Sequence, residues 1–150
     1  MSVTAWVIGA GGLLGSALTR TLTQRAGVQV IHSPSLPWND AEALRAAVAA
    51  QMQRLCEAAD AAHGEWQILW AGGAAVTSSP TEAFDREIAQ FTIVLDAISG
   101  VLRDRHSQRS GVFFFASSAG GVYAGSAAPP PTMRRRRHHC ADCGDVEVDA

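Results

Sequence analysis

A glycine-rich segment near the N-terminus constrains the fold of this chain more than any other feature. Residues 9–15 read GAGGLLG and follow directly on residues 4–8, TAWVI. The TAWVI run has the composition of a buried parallel strand, and Leu14, Leu18 and Leu22 then recur at the spacing of one helix face. A strand, a tight glycine turn and a helix in this order predict the start of a β-α-β unit.

The same alternation continues along the chain. Short apolar runs at residues 28–31, 67–70 and 112–115 predict three further strands. Strands that alternate with helices form a parallel sheet whose crossovers are right-handed. We therefore predict an α/β fold, a Rossmann-like parallel sheet with helices on both faces.

Sequence signals also predict where the two intervening helices begin. Asn39 and Glu42 have the spacing of a capping box. Ser79 as a cap, Pro80 at the first helical position and Glu82 three residues after the cap mark the start of the next helix. The apolar residues of that helix recur in steps of four and three, which predicts the face that packs on the sheet: Phe84, Ile88, Phe91, Leu95, Ile98 and Leu102.

Composition bounds the class of protein. A chain of 150 residues with 47% hydrophobic and 17% charged residues is long enough for one packed domain. Its net charge of −2 argues against a nucleic-acid surface, and no apolar run reaches the roughly 18 residues of a membrane span. Three cysteines are too few for a disulfide framework, and no basic residue precedes the apolar N-terminus, so a cytoplasmic protein is expected.

The composition changes abruptly toward the C-terminus. Residues 129–131 are prolines, residues 134–137 are arginines, and four acidic residues follow. No helix or strand period continues there. We predict one domain over residues 1–128, an incomplete Rossmann-like unit, and a disordered tail over residues 129–150.

The glycine segment has the chemistry of a phosphate site. Gly9 permits a tight turn, and Gly15 lets the helix pack against the strand. Gly11 and Gly12 leave room for a pyrophosphate to approach the backbone, and the helix N-terminus supplies N–H groups and the positive end of its dipole. We predict a dinucleotide site here, with a purely structural turn as the other interpretation. Its residues are Gly9, Gly11, Gly12, Leu13, Leu14 and Gly15.

The end of the second strand leaves the form of the dinucleotide open. An acidic residue at this point holds the ribose hydroxyls of NAD, but the strand ends in His32 and Ser33. Without a carboxylate there is no repulsion against a 2′-phosphate, and Ser33 can donate a hydrogen bond to one. NAD or NADP is therefore expected as cofactor, since no arginine stands beside Ser33 to select NADP.

Three segments, in this order, carry a family resemblance. They are residues 9–15, residues 71–73 (AGG) after the third strand, and residues 117–123 (SSAGGVY) after the fourth. Together they resemble the NAD(P)-dependent epimerase/dehydratase family, the extended short-chain dehydrogenases, over residues 3–131. The resemblance implies an oxidoreductase that acts on a nucleotide sugar or a sugar-like substrate by hydride transfer, and it allows a homodimer.

The resemblance also implies roles for particular residues. In the family the first segment holds the pyrophosphate, and a turn like Asn39-Asp40 meets the adenine. The serine after the fourth strand hydrogen-bonds the reacting hydroxyl or carbonyl group; by position this is Ser118, with its neighbour Ser117 as the alternative. The residues implied to line the cofactor ribose are Ala71, Gly72 and Gly73.

The sequence departs from the family at the residues that carry out the chemistry. The family moves a proton with a tyrosine and a lysine four residues later, but this chain has no lysine and one tyrosine, Tyr123. A frequent asparagine is replaced by Glu87, and the link from the second strand to Asn39 is too short for the usual edge strand. We therefore expect little or no turnover, with Ser118 as the remaining catalytic residue.

A shift of reading frame would account for the unusual tail. Family members often carry an acidic, proline-rich stretch here. GC-rich codons for DDATPP, read one base over, encode TMRRRR, which is residues 132–137. Resequencing of the gene tests this hypothesis, because the other frame should then continue into a Tyr-x-x-x-Lys sequence.

Two other interpretations remain open. One is a non-catalytic NADP-binding sensor or regulator whose sheet a partner completes, and the other is a protein whose tail binds zinc or phosphate. Cys140 and Cys143 have the spacing of a zinc knuckle beside His138 and His139, but a second knuckle is missing, so no metal site is predicted. Residues 112–115 would form an unpaired hydrophobic edge, so the isolated chain is expected to aggregate or fold poorly.

Overall fold

A computed structural model of the chain describes residues 2–73, 79–105 and 110–116. Within these ranges strands and helices alternate strictly, as the apolar runs predict. The elements are β1 (Val3–Ile8), α1 (Leu13–Thr23), β2 (Val28–Ile31), α2 (Ala41–Ala61), β3 (Glu65–Trp70), α3 (Thr81–Asp104) and β4 (Gly111–Phe115). The predicted tail over residues 129–150 and the serine segment at 117–123 lie outside the described residues.

The strands form one parallel sheet in the order β2-β1-β3-β4. The first crossover runs from β1 to β2, and the next two run in the opposite direction, from β2 past β1 to β3 and from β3 to β4. Right-handed crossovers therefore place α1 on one face, and α2 and α3 together on the other, where they pack against each other. The predicted α/β class is confirmed.

The link between β2 and α2 has the shortened form expected from the sequence. Residues 32–40 connect the two elements without a strand of their own. The Gln51 amide donates to the His32 carbonyl (3.4 Å), and the Trp38 carbonyl accepts from Gln90 of α3 (2.7 Å). These bonds attach the link to both helices on its face of the sheet. No helix in the described ranges is long and apolar enough to cross a bilayer.

The main core lies between the sheet and the pair α2 and α3. The strands contribute alternate residues, because side chains in a strand point to opposite faces. Three of the four tryptophans belong to it, with Trp6 fully buried. Its largest members are Trp6, Ile8, Trp66, Ile68 and Trp70 from the strands, Leu44, Val48, Met52 and Leu55 from α2, and Val94, Ile98 and Val101 from α3.

The predicted apolar faces of two helices are partly wrong. Leu14 of α1 is 48% exposed, and Gly15 is the buried residue of that helix. In α3 the buried face is formed by Val94, Ala97, Ile98 and Val101, whereas Phe84 and Ile88 are exposed. For α3 the physical reason is length: 24 helical residues span about 36 Å, while the five residues of β4 span only about 17 Å.

Both predicted helix caps are displaced by one residue. The N-cap of α2 is Asp40 rather than Asn39, and the Asp40 carboxylate accepts a hydrogen bond from the Ala43 amide (3.0 Å). The N-cap of α3 is Pro80 rather than Ser79. Pro80 is in an extended conformation, and its carbonyl accepts the first bond of the helix from Ala83 (3.0 Å). Neither helix therefore begins with the predicted capping box.

Candidate functional site

The carboxyl ends of β1 and β3 bring two predicted segments side by side. The Ala71 amide donates to the Ile8 carbonyl (2.9 Å), which continues the pairing past the end of both strands. Gly9 has a φ of +85°, and a Cβ at this position would lie 2.7 Å from the Ala71 carbonyl and the Gly72 nitrogen. Only glycine fits this conformation and this approach. The glycine turn and the AGG segment therefore meet at one edge of the sheet.

The turn itself has the geometry that the glycine spacing predicts. The Gly12 amide donates to the Gly9 carbonyl (3.0 Å), which closes the turn. A Cβ on Gly15 would overlap the Gly9 carbonyl, so α1 packs directly on the turn. Gly12 caps α1 in an extended conformation without a side-chain hydrogen bond, so no capping side chain occupies the N–H groups of the first turn. A Cβ on Gly11 would meet no atom within 4 Å.

A cavity of about 600 Å³ opens beside this turn. It lies between the carboxyl ends of the strands, the link before α2 and the first turns of α3. Several residues predicted from the sequence line it: Gly9, Gly12, Asn39, Ala71, Gly72 and Gly73. Further lining residues were not predicted: Trp38, Trp70, Phe115 and, from α3, Ala83, Arg86, Glu87, Ile88, Gln90 and Phe91, together with Ser79.

Aromatic rings form one wall of the cavity, and their mutual packing fixes their positions. The Trp70 ring meets Phe91 edge-on, with centroids 4.8 Å apart, and meets Trp38 in the same way at 6.0 Å. Phe115 packs against Phe91 at 5.1 Å. The Trp70 indole N–H donates to the Gly72 carbonyl (2.8 Å), which ties this wall to the AGG segment. We call Trp38, Trp70, Phe91 and Phe115 the aromatic wall.

The charged residues of the cavity come from the first turns of α3. Arg86 and Glu87 both line it, and the Glu87 carboxylate lies about 4 Å from where a Cβ on Gly73 would stand. Arg86 makes no salt bridge with a described residue. Its guanidinium is therefore available to an anionic group in the cavity that the glycine turn also borders.

Six predicted cofactor residues do not line the cavity: Ser33, Asp40, Leu13, Leu14, Gly11 and Gly15. Ser33 accepts a hydrogen bond from the Trp6 indole N–H (3.2 Å), which directs its oxygen toward the core. The Asp40 carboxylate is used as the cap of α2. Leu13 is 94% exposed and Leu14 is 48% exposed, both at the outer side of the turn. Gly11, also absent from the lining, borders open space at the same turn.

The sequence offered a weak signal for the missing residues. Trp70 is the last residue of β3, and Arg86, Gln90 and Phe91 lie in the first half of the helix that follows it. In parallel sheets ligands bind outside the carboxyl ends of the strands, so both positions could have been singled out. Trp38 could not have been found in this way. The hydrogen bond that joins its carbonyl to Gln90 connects residues 52 positions apart in the sequence, and no local pattern predicts such a contact.

The predicted catalytic serine, and the tail residues considered for a zinc knuckle, cannot be compared with this geometry. Ser118 and its neighbour Ser117 lie outside the described residues, as do the cysteine and histidine residues of the tail. In the part of the chain that the structure describes, no three His, Cys, Asp or Glu side chains come close enough to hold a metal ion. Cys56, the cysteine within that part, is buried and unpaired.

Comparisons with known proteins do not assign the chain to a family. No protein-family model, curated protein or solved structure matches it. An interpretation of function therefore depends on the glycine turn, the cavity and the aromatic wall.

Proposed function

We propose that this chain is the NAD(P)-binding portion of an epimerase/dehydratase-like oxidoreductase whose substrate is a sugar or nucleotide sugar. The observation that carries the proposal is the glycine turn. It closes on itself between Gly9 and Gly12, lies at the carboxyl edge of a parallel sheet, and borders a cavity of about 600 Å³. Ligands of open α/β sheets bind at this edge, and a dinucleotide places its pyrophosphate at the first helix N-terminus.

The residues of the turn and cavity fit a dinucleotide. The open space at Gly11 and the uncapped N-terminus of α1 accept a pyrophosphate close to the backbone. Ala71, Gly72 and Gly73 present small residues where a ribose approaches. Trp38 and Asn39 offer a flat ring and an amide to the adenine. When bound, the nicotinamide accepts or donates a hydride.

The proposal includes the expectation that this chain alone turns over little substrate. Without lysine no Tyr-x-x-x-Lys pair can form within one chain, and a tyrosine with an unshifted pKa near 10 is about 0.1% ionised at pH 7. Ser118 remains as a group that polarises the substrate. The missing lysine equally favours the second candidate, a cytoplasmic NADP sensor without catalysis, which would use the same cofactor site.

Titration with NADPH, NADH and ADP-ribose tests the cofactor site. Trp38 and Trp70 line the cavity, so binding should change the intrinsic fluorescence. The decisive variant is Gly11→Glu. Its side chain has room and its charge suits a helix N-terminus, so the fold should persist, but the carboxylate repels a pyrophosphate. We expect at least a tenfold loss of affinity.

Gly100→Glu is the matched control. Gly100 also has no atom within 4 Å of an added Cβ and lies in α3, outside the cavity lining. The same charge is thus introduced away from the site, and affinity should not change. Absence of a response from the unmodified chain at millimolar dinucleotide, or equal losses in both variants, would contradict the proposal. Any turnover of sugar alcohols with NADP would exclude the sensor, whereas little or no turnover is expected of both candidates.

A further inference from the structure

The outer edge of β4 carries backbone groups that no described strand pairs. β4 ends the sheet and pairs with β3 on one side. The Ala116 amide donates to the Trp70 carbonyl (3.0 Å), so Ala116 directs its polar groups toward β3. Directions alternate along a strand. The N–H and C=O groups of Gly111, Phe113 and Phe115 therefore point away from the sheet.

The side chains of this edge are apolar and unprotected. Val112 is 54% exposed, Phe114 52% and Phe115 49%. Edge strands of soluble proteins are normally protected by a lysine, a proline, a bulge or a covering loop. β4 reads GVFFF and has neither charge nor proline. The opposite edge differs: in the described residues, the large exposed hydrophobics include none from β2.

We propose that β4 pairs antiparallel with β4 of a second copy of this chain, around a two-fold axis at Phe113. This register is self-complementary. Phe113 meets its own equivalent, and Gly111 meets Phe115 of the second copy, so each outward N–H group finds a carbonyl. The bulky Phe115 thus stands opposite a residue without a side chain. Val112 meets Phe114 of the second copy, and these two apolar side chains share one face of the sheet.

The exposed area agrees with a dimer that dissociates on dilution. A whole aromatic side chain has roughly 150–250 Å², so the exposed fractions of Phe114 and Phe115 amount to roughly 200 Å² per copy. Val112 brings this to about 300 Å². Two copies with their strand backbones would bury about 700 Å², which is below the roughly 1,000 Å² of a stable specific interface, so the pairing should be weak.

Sedimentation of the full chain over a dilution series tests the pairing. We expect a dimer at high concentration that becomes a monomer on dilution. Because residue 112 faces residue 114 of the second copy, V112K/F114K should bring lysines opposite each other and give a monomer throughout. V112K/F114E brings opposite charges together and should restore the dimer at low salt. Q29K, on the exposed face of the opposite edge strand, should behave as the unmodified chain.

Three results would overturn the proposal. One is a monomer at all concentrations for the unmodified chain, as expected if its own residues beyond Ala116 cover the edge. Another is a polydisperse aggregate, which indicates an open association instead of a closed pair. The third is a V112K/F114E variant as monomeric as V112K/F114K, which indicates another partner or register.

Amide hydrogen exchange gives a readout that needs no substitution. The amides of Phe113 and Phe115 should become more protected as concentration rises, because the second copy bonds them. The amide of Phe114 points toward β3, so its protection should change less. Equal changes at all three amides would indicate general stabilisation of the chain and contradict pairing at this edge.

Discussion

Gly15 packs directly against the carbonyl group of Gly9, across the turn that joins β1 to α1. A Cβ at Gly15 would overlap the Gly9 carbonyl oxygen and lie 2.9 Å from the Cα of Ala10. All of these are backbone atoms, which cannot move aside without opening the turn. We expect Gly15→Ala to lower the free energy of unfolding by about 1–3 kcal/mol, the usual cost of overpacking, although alanine favours a helix. Urea denaturation measures this change.

Gly11→Ala is the control for that prediction. It lies in the same turn, with no atom within 4 Å of an added Cβ, and its φ is not positive. The substitution should therefore be neutral or stabilise by up to about 1 kcal/mol, because alanine restricts the unfolded chain. Equal losses of stability in both variants would show that the turn is intolerant in general and that the Gly9–Gly15 contact is not special.

Arg86 should select for the phosphorylated form of the dinucleotide. It lines the cavity together with Trp38 and Asn39, and no described carboxylate pairs with it. No acidic residue ends β2 to repel a 2′-phosphate. We expect Arg86→Gln to lower the affinity for NADPH about tenfold, equivalent to about 1.4 kcal/mol of binding free energy. The affinity for NADH should stay nearly unchanged. Separate titrations with the two cofactors measure the ratio.

Arg103→Gln provides the comparison for Arg86. Arg103 is also an exposed arginine of α3, near its C-terminal end and outside the cavity lining. The Arg103→Gln substitution removes the same charge from the chain without changing the cavity. If Arg103→Gln lowers the affinity for NADPH as much as Arg86→Gln does, the effect comes from the change in net charge alone. If Arg86→Gln weakens both cofactors equally, Arg86 does not contact the 2′-phosphate.

The sequence was most informative where local chemistry decides the structure. β2 has the predicted bounds, and β3 and β4 begin within two residues of the predicted start, because short apolar runs bounded by turn residues have few other solutions. The turn from Gly9 to Gly15 was predictable for a similar reason. Contacts within and next to the turn require glycine at fixed positions, so the spacing of the glycines in the sequence predicts the turn.

The aromatic wall could not be predicted in the same way. Trp38 lies in a link without periodicity, and its neighbours Trp70 and Gln90 are distant along the chain. The exposure of Phe84 and Ile88 could not be predicted either. The apolar residues recur uniformly along the whole helix, and this period does not indicate where the sheet beneath the helix ends. Such features depend on how separate elements meet.

The start of α2 offers a direct test of a wrong prediction. Asn39 and Asp40 are both good capping residues, and the structure uses the Asp40 carboxylate. Asp40→Ala should lower the free energy of unfolding by about 1 kcal/mol. Asn39→Ala should change the free energy of unfolding little. Because Asn39 lines the cavity, its loss should lower the affinity for the dinucleotide. Urea denaturation and cofactor titration of both variants separate the two roles, and the reverse order of stability would restore the sequence-based cap.

Because of Cys56, the free energy of unfolding should decrease as pH rises in the alkaline range. Burial raises the pKa of its thiol, an effect that Arg105 opposes and that Asp60 and Glu57 reinforce. The folded state therefore holds the thiol proton more tightly than the unfolded chain does. The resulting stability is fully present below the unfolded pKa, near 8.5, and is lost as pH rises through the raised folded value. The slope for one proton is at most about 1.4 kcal/mol per pH unit.

The composition makes this dependence measurable. With no lysine and a single tyrosine, few other groups titrate between pH 8 and 10. The variant C140S/C143S removes the remaining thiols, so that Cys56 alone is left to titrate among the cysteines. Its free energy of unfolding should fall steadily above pH 8.5, whereas a triple variant that adds Cys56→Ala should lose this fall. The two pH profiles, compared after subtraction of their values at pH 7, isolate the thiol. Parallel profiles would mean that the thiol of Cys56 ionises as easily in the folded chain as in the unfolded one.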